Sequence, residues 1–349
     1  MSMEKSRVTM KDIAKKLYVS QNTVSLALRN IPTVKKETRE LILRTAEEMG
    51  YVYATHSTET DDKSIHTGNI CVFTNSRYFS NFYFYTELKA MMKSRLQERG
   101  YGLIVETMFG TDMSEEQLRI FCDMNNVAGI IFMGDMGEEY VCLALKMNMP
   151  VVTSSFYCLK PFTDCVLEDN INAIVDAVER VLARGYEKIG YLGSISMGVA
   201  QNERHLGFLN AVRKFELVVP DGWINIHCPQ DTDLLYNCFH KYFKSEEEKP
   251  EVFICGCDQI AFCAMEAAQD VGLSIPEDIG LVGFDHNELS MSSTPRLTTI
   301  DTNNGEHAEL LADLIDSRIK GDKLPLRRQI VSTTWVEGGT ISPLRKNGE

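Results

Sequence analysis

The chain has 349 residues, more than one hydrophobic core usually organises, and this length predicts two or three domains. Hydrophobic residues make up 44% and charged residues 24%, as in ordinary globular proteins, and no apolar run is long enough to cross a bilayer. The N-terminal stretch MSMEKSRVTMKDI lacks the apolar segment of a signal peptide. The composition therefore argues against a membrane or exported protein and predicts a cytoplasmic one.

The net charge of −13 is distributed unevenly along the chain. Residues 1–50 carry ten Lys and Arg against six Asp and Glu, whereas the rest of the chain carries 26 against 43. A basic head on an acidic body is the asymmetry expected when only the head contacts a polyanion such as nucleic acid.

The ten cysteines are scattered, and most lie inside apolar runs. The only close pair, Cys255 and Cys257, is separated by one residue instead of the two of a redox or zinc motif. We therefore expect reduced, mostly buried thiols, no metal and no cofactor.

The first 50 residues are predicted to form three short helices. Thr9 precedes the first, Ser20 caps the second in the stretch QNTVSLAL, and the third runs from about Lys36 to Met49 and ends at Gly50. A short turn separates the first two helices, and the second begins with polar residues, which is the helix-turn-helix pattern. The expected inward-facing residues are Ile13, Ala14, Leu17, Val24, Ala27, Leu28, Ile42, Thr45, Ala46 and Met49.

Polar residues around the second helix are the candidate DNA contacts. Gln21 and Asn22 lie in its first turn, and an amide side chain can bond adenine N6 and N7, worth about 1–3 kcal/mol of discrimination per pair. Short side chains suited to phosphate contacts, which set register but not sequence, are those of Thr9, Ser20, Thr23, Ser25 and Asn30. The alternative is an ordinary capped three-helix bundle, which the polar cluster and the charge asymmetry disfavour.

Two stretches, VTMKDIAKKLYVSQNTVSLAL and VKKETRELILRTAEEMGY, closely resemble the head of LacI/GalR-type bacterial transcription regulators. The shared pattern is V-T-x-x-D-I-A, then V-S-x-x-T-V-S, then T-R-x-x-I-x-x-A-x-x-x-G-Y. Tyr18 departs from it in a turn where the family often has Gly, and Leu26 stands where it usually has Arg. Leucine offers only apolar contact, for instance to a thymine methyl. The resemblance therefore implies that the protein binds DNA, with Leu26 at the interface, but recognises a half-site different from the usual one of the family.

From Gly68 onward, short β-rich runs alternate with helical stretches in two consecutive series. This pattern predicts an α/β core of two doubly wound parallel-sheet subdomains, with ligands bound outside the carboxyl ends of the strands. A two-domain nucleotide-binding enzyme has the same pattern. However, the sequence contains no G-x-G-x-x-G after the first strand, no P-loop, no G-x-S-x-G and no paired metal-ligand histidines, so we expect no enzyme.

Four stretches of the body resemble the effector-binding core of the same family, a periplasmic-binding-protein type I-like fold: VLEDNINAIVDAVERVLARGYEKIGYLG, ERHLGFLNAV, CDQIAFCAMEAAQDVGLSIPEDIGLVGFD and PRLTTIDTN. The resemblance implies a DNA-binding domain at 1–50, a hinge at 51–68 and an effector-binding and dimerisation domain at 69–345. Its N-subdomain would comprise about 69–166 and 297–328, and its C-subdomain about 167–296 and 329–343.

Matching motif positions also implies effector contacts. Arg204 matches a family arginine that binds effector hydroxyls or a charged group. Asp285 matches a family carboxylate that accepts hydrogen bonds from sugar hydroxyls. Asp258 fits the N-D pair of the family, although Cys257 replaces the asparagine.

Further candidate contacts follow the first predicted strand, whose end places Asn75 and Ser76 at the ligand-facing edge. The aromatic stretch NFYFY, with Tyr83, can stack on a pyranose ring or simply pack its helix on the sheet.

The segment Tyr53–Gly68 departs most from the family. In the family, this segment forms a short hinge helix that enters the minor groove and inserts a leucine between base pairs. Here the Pro, Asn, Arg and apolar wedge positions are all changed, and Glu59, Asp61 and Asp62 would be repelled by the groove. We therefore expect a tether that leaves the central base step unread.

Together these features predict a homodimeric repressor that binds a palindromic operator and is controlled by a small molecule, a sugar or sugar derivative. The absence of a heptad-patterned tail favours a dimer over a tetramer. The alternative is a cytoplasmic ligand-binding protein of the same core fold whose DNA binding is weak or depends on a corepressor.

Overall fold

The computed structural model describes residues 10–17, 19–20, 23–24, 27, 36–49, 68–75, 83–108, 113–160 and 162–343. The chain divides into two compact units, Met1–Lys63 and Ser64–Glu349, here called the head and the core. Within these described ranges, no helix is both long and apolar enough to cross a membrane.

The described part of the head contains helices α1, Met10–Leu17, and α2, Lys36–Glu48. Residues between them are also helical at Thr23, Val24 and Ala27. The Oγ of Ser20 accepts a hydrogen bond from the Thr23 backbone N–H at 3.0 Å, which confirms the predicted cap of the second helix.

The small apolar core of the head also follows the predicted helical spacing. Its buried side chains are Ile13, Ala14, Val24, Ala27, Ile42 and Ala46. Several predicted positions lie outside the described residues: Thr9, Tyr18, Gln21, Asn22, Ser25, Leu26, Leu28, Asn30 and the hinge as far as Thr67.

The core begins with alternating strands and helices. These are β1 Gly68–Asn75, α3 Tyr83–Glu98, β2 Tyr101–Met108, α4 Glu115–Met124, β3 Val127–Met133, α5 Glu138–Lys146, β4 Val151–Ser154 and β5 Asp164–Glu168. The next series is α6 Asn170–Leu182, β6 Ile189–Leu192, α7 Val199–Lys214, β7 Ile224–Asn225, α8 Thr232–Lys244, β8 Val252–Cys255, α9 Asp258–Asp270 and β9 Gly280–Val282. The chain then forms α10 Glu288–Ser292, β10 Thr299–Asp301, α11 Asn304–Ile319, β11 Arg328–Val331 and β12 Thr334–Val336.

Two parallel sheets organise the core, as the sequence predicts. The larger has six strands in the order β11-β5-β4-β3-β1-β2, and the smaller has four in the order β7-β6-β8-β9. Strands such as β1, NICVFT, read as nearly continuous apolar runs because helices cover both faces of a parallel sheet. Helix α11 packs on the larger sheet through a stripe that includes Ala308, Leu311 and Ile315.

Within residues 162–343, the chain passes between the two sheets three times. The first passage follows Glu168, and the other two use β10 and β12, which pair antiparallel with each other and join neither main sheet. Strand β11 pairs with β5, so the larger sheet extends to Val331, slightly beyond the expected limit at 328. Residues 298–301 still lie along the smaller sheet, through bridges from Thr298 to Val282 and from Asp301 to Asp285.

All ten cysteines lie in the described part of the chain and are free thiols. Eight are buried, Cys142 is half-buried and Cys238 is exposed. The burial of most of these side chains agrees with the expectation from the sequence.

Candidate ligand-binding site

Polar side chains collect where strands of both sheets end and the chain first passes between them. Glu168 ends β5, Gly256 follows β8, and Asp285 comes three residues after β9. The carboxyl edges of parallel sheets are where such folds bind ligands.

Arg204 is the centre of this cluster. Its α7 position directs the guanidinium to Asp285 at 3.0 Å, and both side chains are about 95% buried. Its Nε donates to Asn170 Oδ1 at 2.9 Å, and its Nη1 donates to the Gly256 carbonyl at 2.7 Å. Burial is the largest single effect and disfavours the charge, but Asp285, Glu168 and weaker neighbours together outweigh it, so the pKa of Arg204 is raised and the side chain stays cationic.

Asp285 occupies a backbone conformation that side-chain-bearing residues rarely adopt, with φ of 106°. The backbone N–H donates to the Ile300 carbonyl at 2.8 Å, which fixes the loop against β10. Burial raises the pKa of this carboxyl to about 6, although Arg204 lowers it. Strained backbone held by its neighbours is typical of a ligand-binding position.

Asp258 is buried at the first turn of α9, but its carboxylate is occupied within the protein. The Thr299 hydroxyl donates to Oδ1 at 2.5 Å, and the Asn287 backbone N–H donates to Oδ2 at 3.0 Å. Burial and the nearby Asp285 raise its pKa to about 8. This geometry favours a role in positioning the Asp285 loop over the direct contact inferred from the motif.

Cys257 precedes α9 and lies beside the same group of charges. The side chain is buried and makes no side-chain cap to the helix. Burial, with a smaller contribution from Asp285, raises the pKa of the thiol, which is therefore neutral. It supplies an apolar wall where the family pattern has a hydrogen-bonding amide.

The other predicted contacts are only partly defined. Asn75 ends β1 at the carboxyl edge of the larger sheet, where it is half-buried. Tyr83 begins α3, and only its backbone belongs to the described part; Ser76 lies outside it.

Sequence reasoning missed four polar residues that surround Arg204. Asn170 bonds both Arg204 and Glu203, and Gln201 donates to the Gly256 carbonyl at 2.9 Å. Glu168 and His307 are also buried here, with 3.4 Å between His307 Nδ1 and Glu168 Oε1. Glu168 and Asn170 lie in the family-like stretch VLEDN, which was the available signal.

The position of Arg204 depends on the close approach of α7 to α6. A Cβ at Gly207 would lie 2.6 Å from the Ile171 carbonyl oxygen, closer than any real contact. Only glycine therefore permits this helix spacing.

Replacing Gly207 with alanine is expected to lower the free energy of unfolding of the core by about 1–3 kcal/mol, because α7 must move away from α6. Urea denaturation measures the loss. Gly305→Ala in α11 is the matched control, since its Cβ would meet open space, and it should be neutral or stabilising. A gain in stability from Gly207→Ala, as helix propensity alone predicts, would contradict the close packing.

The sequence profile for "Bacterial regulatory proteins, lacI family" matches residues 9–53, and that for "Periplasmic binding protein-like domain" matches residues 178–341. The chain is 26% identical to a ribose operon repressor of Haemophilus influenzae over 340 residues, covering 97% of this chain and 99% of that protein. It is 28% identical to catabolite control protein A of Priestia megaterium over 297 residues, covering 84% and 87%.

The fold is shared with a lac repressor dimer solved bound to operator and an anti-inducer, with a TM-score of 0.71, 20% identity, and coverage of 97% of this chain and 100% of that one. A helix-turn-helix head joined to a two-sheet ligand-binding core defines a ligand-controlled, DNA-binding transcriptional regulator. The chain therefore carries a lacI-family DNA-binding domain and a periplasmic-binding-protein-like domain.

Proposed function

We propose that this regulator is a repressor that binds a palindromic operator as a homodimer, and that its DNA affinity changes when a sugar or sugar derivative binds around Arg204 and Asp285. The observation that carries the proposal is the buried pair itself, 3.0 Å apart at the carboxyl edges of the strands. A guanidinium and a carboxylate held side by side offer both donors and acceptors to hydroxyl groups.

The relatives support the repressor and dimer assignments. One is named a ribose operon repressor, and one solved relative is a dimer on its operator. These relatives are regulators, which supports a non-enzymatic role in the cytoplasm, where operator DNA is found.

For the DNA contacts, we assign base reading to Gln21, Asn22 and Leu26. We assign phosphate contacts to Thr9, Ser20, Thr23, Ser25 and Asn30. The structure supports this where it describes the chain, since the Ser20 cap orients the start of the second helix. The hinge, residues 51–68, acts as a tether that inserts no side chain into the minor groove.

Ligand control is assigned to the connections between the subdomains. Three chain passages join the two sheets, and the Arg204–Asp285 group lies beside the first of them. A ligand that binds one arrangement of the subdomains better than another shifts the population toward it. A rotation of the subdomains that alters the spacing of the two heads would then change operator affinity.

Selection of bound sites from a random duplex pool, with full-length protein at near-physiological salt, tests the assignment. The expected product is a palindrome with two specified half-sites and an indifferent centre. Gln21→Ala and Asn22→Ala should each weaken the base preference at one position of the half-site. A specified central step would contradict the tether, and the absence of any enriched sequence would contradict the repressor assignment.

A further inference from the structure

The ligand site contains more negative charge than its own cations balance. Arg204 is paired with Asp285, yet its electrostatic partners also include Glu168, whose charge acts on Asp285 and on Glu203 as well. Arg328 also acts on Glu203, so two guanidinium groups face the three carboxylates of Asp285, Glu168 and Glu203. A buried charge without a full partner is costly in the low-dielectric interior.

Glu168 is the carboxylate that lacks its own cation. Its side chain is about 99% buried, and Oε1 accepts a hydrogen bond from the Ser155 hydroxyl at 2.6 Å. Oε2 is buried and has no hydrogen-bond partner among the described residues. Carboxylate oxygens are acceptors only, so the missing partner is a hydrogen-bond donor.

His307 does not supply that positive charge. Its Nε2 bonds the Ser154 hydroxyl at 3.0 Å, and its Nδ1 lies 3.4 Å from Glu168 without a hydrogen bond. Burial lowers the pKa of His307, and the opposing effect of Glu168 does not restore it. The imidazole is therefore neutral near pH 7 and leaves the excess negative charge in place.

Gln201, which shares the Gly256 carbonyl with Arg204, carries a second buried acceptor. Gln201 Oε1 has no hydrogen-bond partner among the described residues, although the amide nitrogen of the same side chain is bonded to Gly256. Both unsatisfied groups are acceptors and therefore require hydrogen-bond donors. An incoming phosphate or carboxylate would add only acceptors and further negative charge.

We propose that the effector is an amine-bearing polyhydroxylated molecule, such as an amino sugar, whose ammonium group binds Glu168 while its hydroxyl groups bond Gln201 and the Arg204–Asp285 pair. This inference rests on the proposed function for the location of the site. It further specifies the ligand as cationic, and it excludes phosphorylated sugars. An ammonium supplies three donors and one positive charge, which is what the Glu168 side of the site lacks.

The test is a set of ligands matched in their rings: glucose, glucosamine, N-acetylglucosamine and glucose 6-phosphate, with the corresponding galactose and mannose sets. The melting temperature of the full-length protein and calorimetric dissociation constants are measured with each at millimolar concentration. An amine is expected to raise the melting temperature more than its neutral, acetylated or phosphorylated counterparts. Glu168→Gln should weaken that amine at least about tenfold, equivalent to about 1.4 kcal/mol, whereas Glu246→Gln, on an exposed loop, should leave binding unchanged.

The melting temperature measured without ligand provides a second test. Glu168→Gln keeps the shape and an acceptor for Ser155 but removes the unbalanced charge, so the variant should melt at or above the wild-type temperature. A clearly lower melting temperature, no response to any amine, or tighter binding of a neutral or phosphorylated member would each overturn the proposal. A phosphorylated ligand that alters operator binding would refute only this inference, whereas failure to select DNA would refute the proposed function.

Discussion

Replacing Arg204 with methionine is expected to lower the free energy of unfolding of the core by about 3–5 kcal/mol. The substitution keeps an apolar stem of similar length but leaves Asp285 buried beside no cation. It also removes the donors to Asn170 and to the Gly256 carbonyl. Urea denaturation followed by the fluorescence of Trp223 and Trp335, both in the core, measures the loss.

An exposed pair on a helix surface provides the control for this substitution. Arg119 and Glu115 form an ion pair one helical turn apart, with both side chains about half exposed. Arg119→Met should cost less than about 1 kcal/mol, because solvent screens such pairs. If Arg204→Met cost no more than Arg119→Met, the buried pair would not organise the site.

The stability of the core is expected to fall as the pH rises from about 5 to about 8. Folding raises the pKa of Asp285 to about 6 and that of Asp258 to about 8, whereas the pKa of an aspartate in the unfolded chain is about 4. The folded state therefore binds these protons more tightly than the unfolded state. Their contribution is complete below the unfolded pKa and is lost as the pH rises through the folded values.

Asp258→Asn tests this linkage, because the amide removes one titrating group and keeps an oxygen for the Thr299 hydroxyl. Each group changes the free energy of unfolding by up to about 1.4 kcal/mol per pH unit. The stability of the variant should therefore decline clearly less than that of the wild type between about pH 6 and about pH 8. Urea denaturation at several pH values gives the slope. A wild-type stability that is flat or rises over this range would contradict the raised pKa values.

Much of the fold could be predicted because its signals are local. The alternation of apolar strands and amphipathic helices specified two parallel sheets, and the predicted third head helix, about Lys36 to Met49, matches the observed Lys36–Glu48. The connecting strands carry no such signal. Thr299 pairs with Val336, and β11 pairs with β5 from more than 150 residues away, so the expected subdomain limits near 297 and 328 depended on the family resemblance and not on a local pattern.

The site was predictable only where a motif marked a residue. Arg204 and Asp285 were identified separately, but nothing in the sequence indicated that they form one buried pair. Glu168 and His307 were missed because a polar residue at the end of a strand or in the first turn of a helix usually reads as an ordinary cap. Their significance comes from burial and from missing partners, which only the packed structure contains.

The central claim is that one chain couples a ligand site in the core to operator binding by the head. The most direct test is the dissociation constant for the selected operator, measured with and without any ligand that raises the melting temperature of the core. We predict a change of about 5–150-fold in that constant, and no ligand-dependent change in Arg204→Met. A ligand that binds the wild-type core tightly yet leaves the operator dissociation constant unchanged would contradict the account.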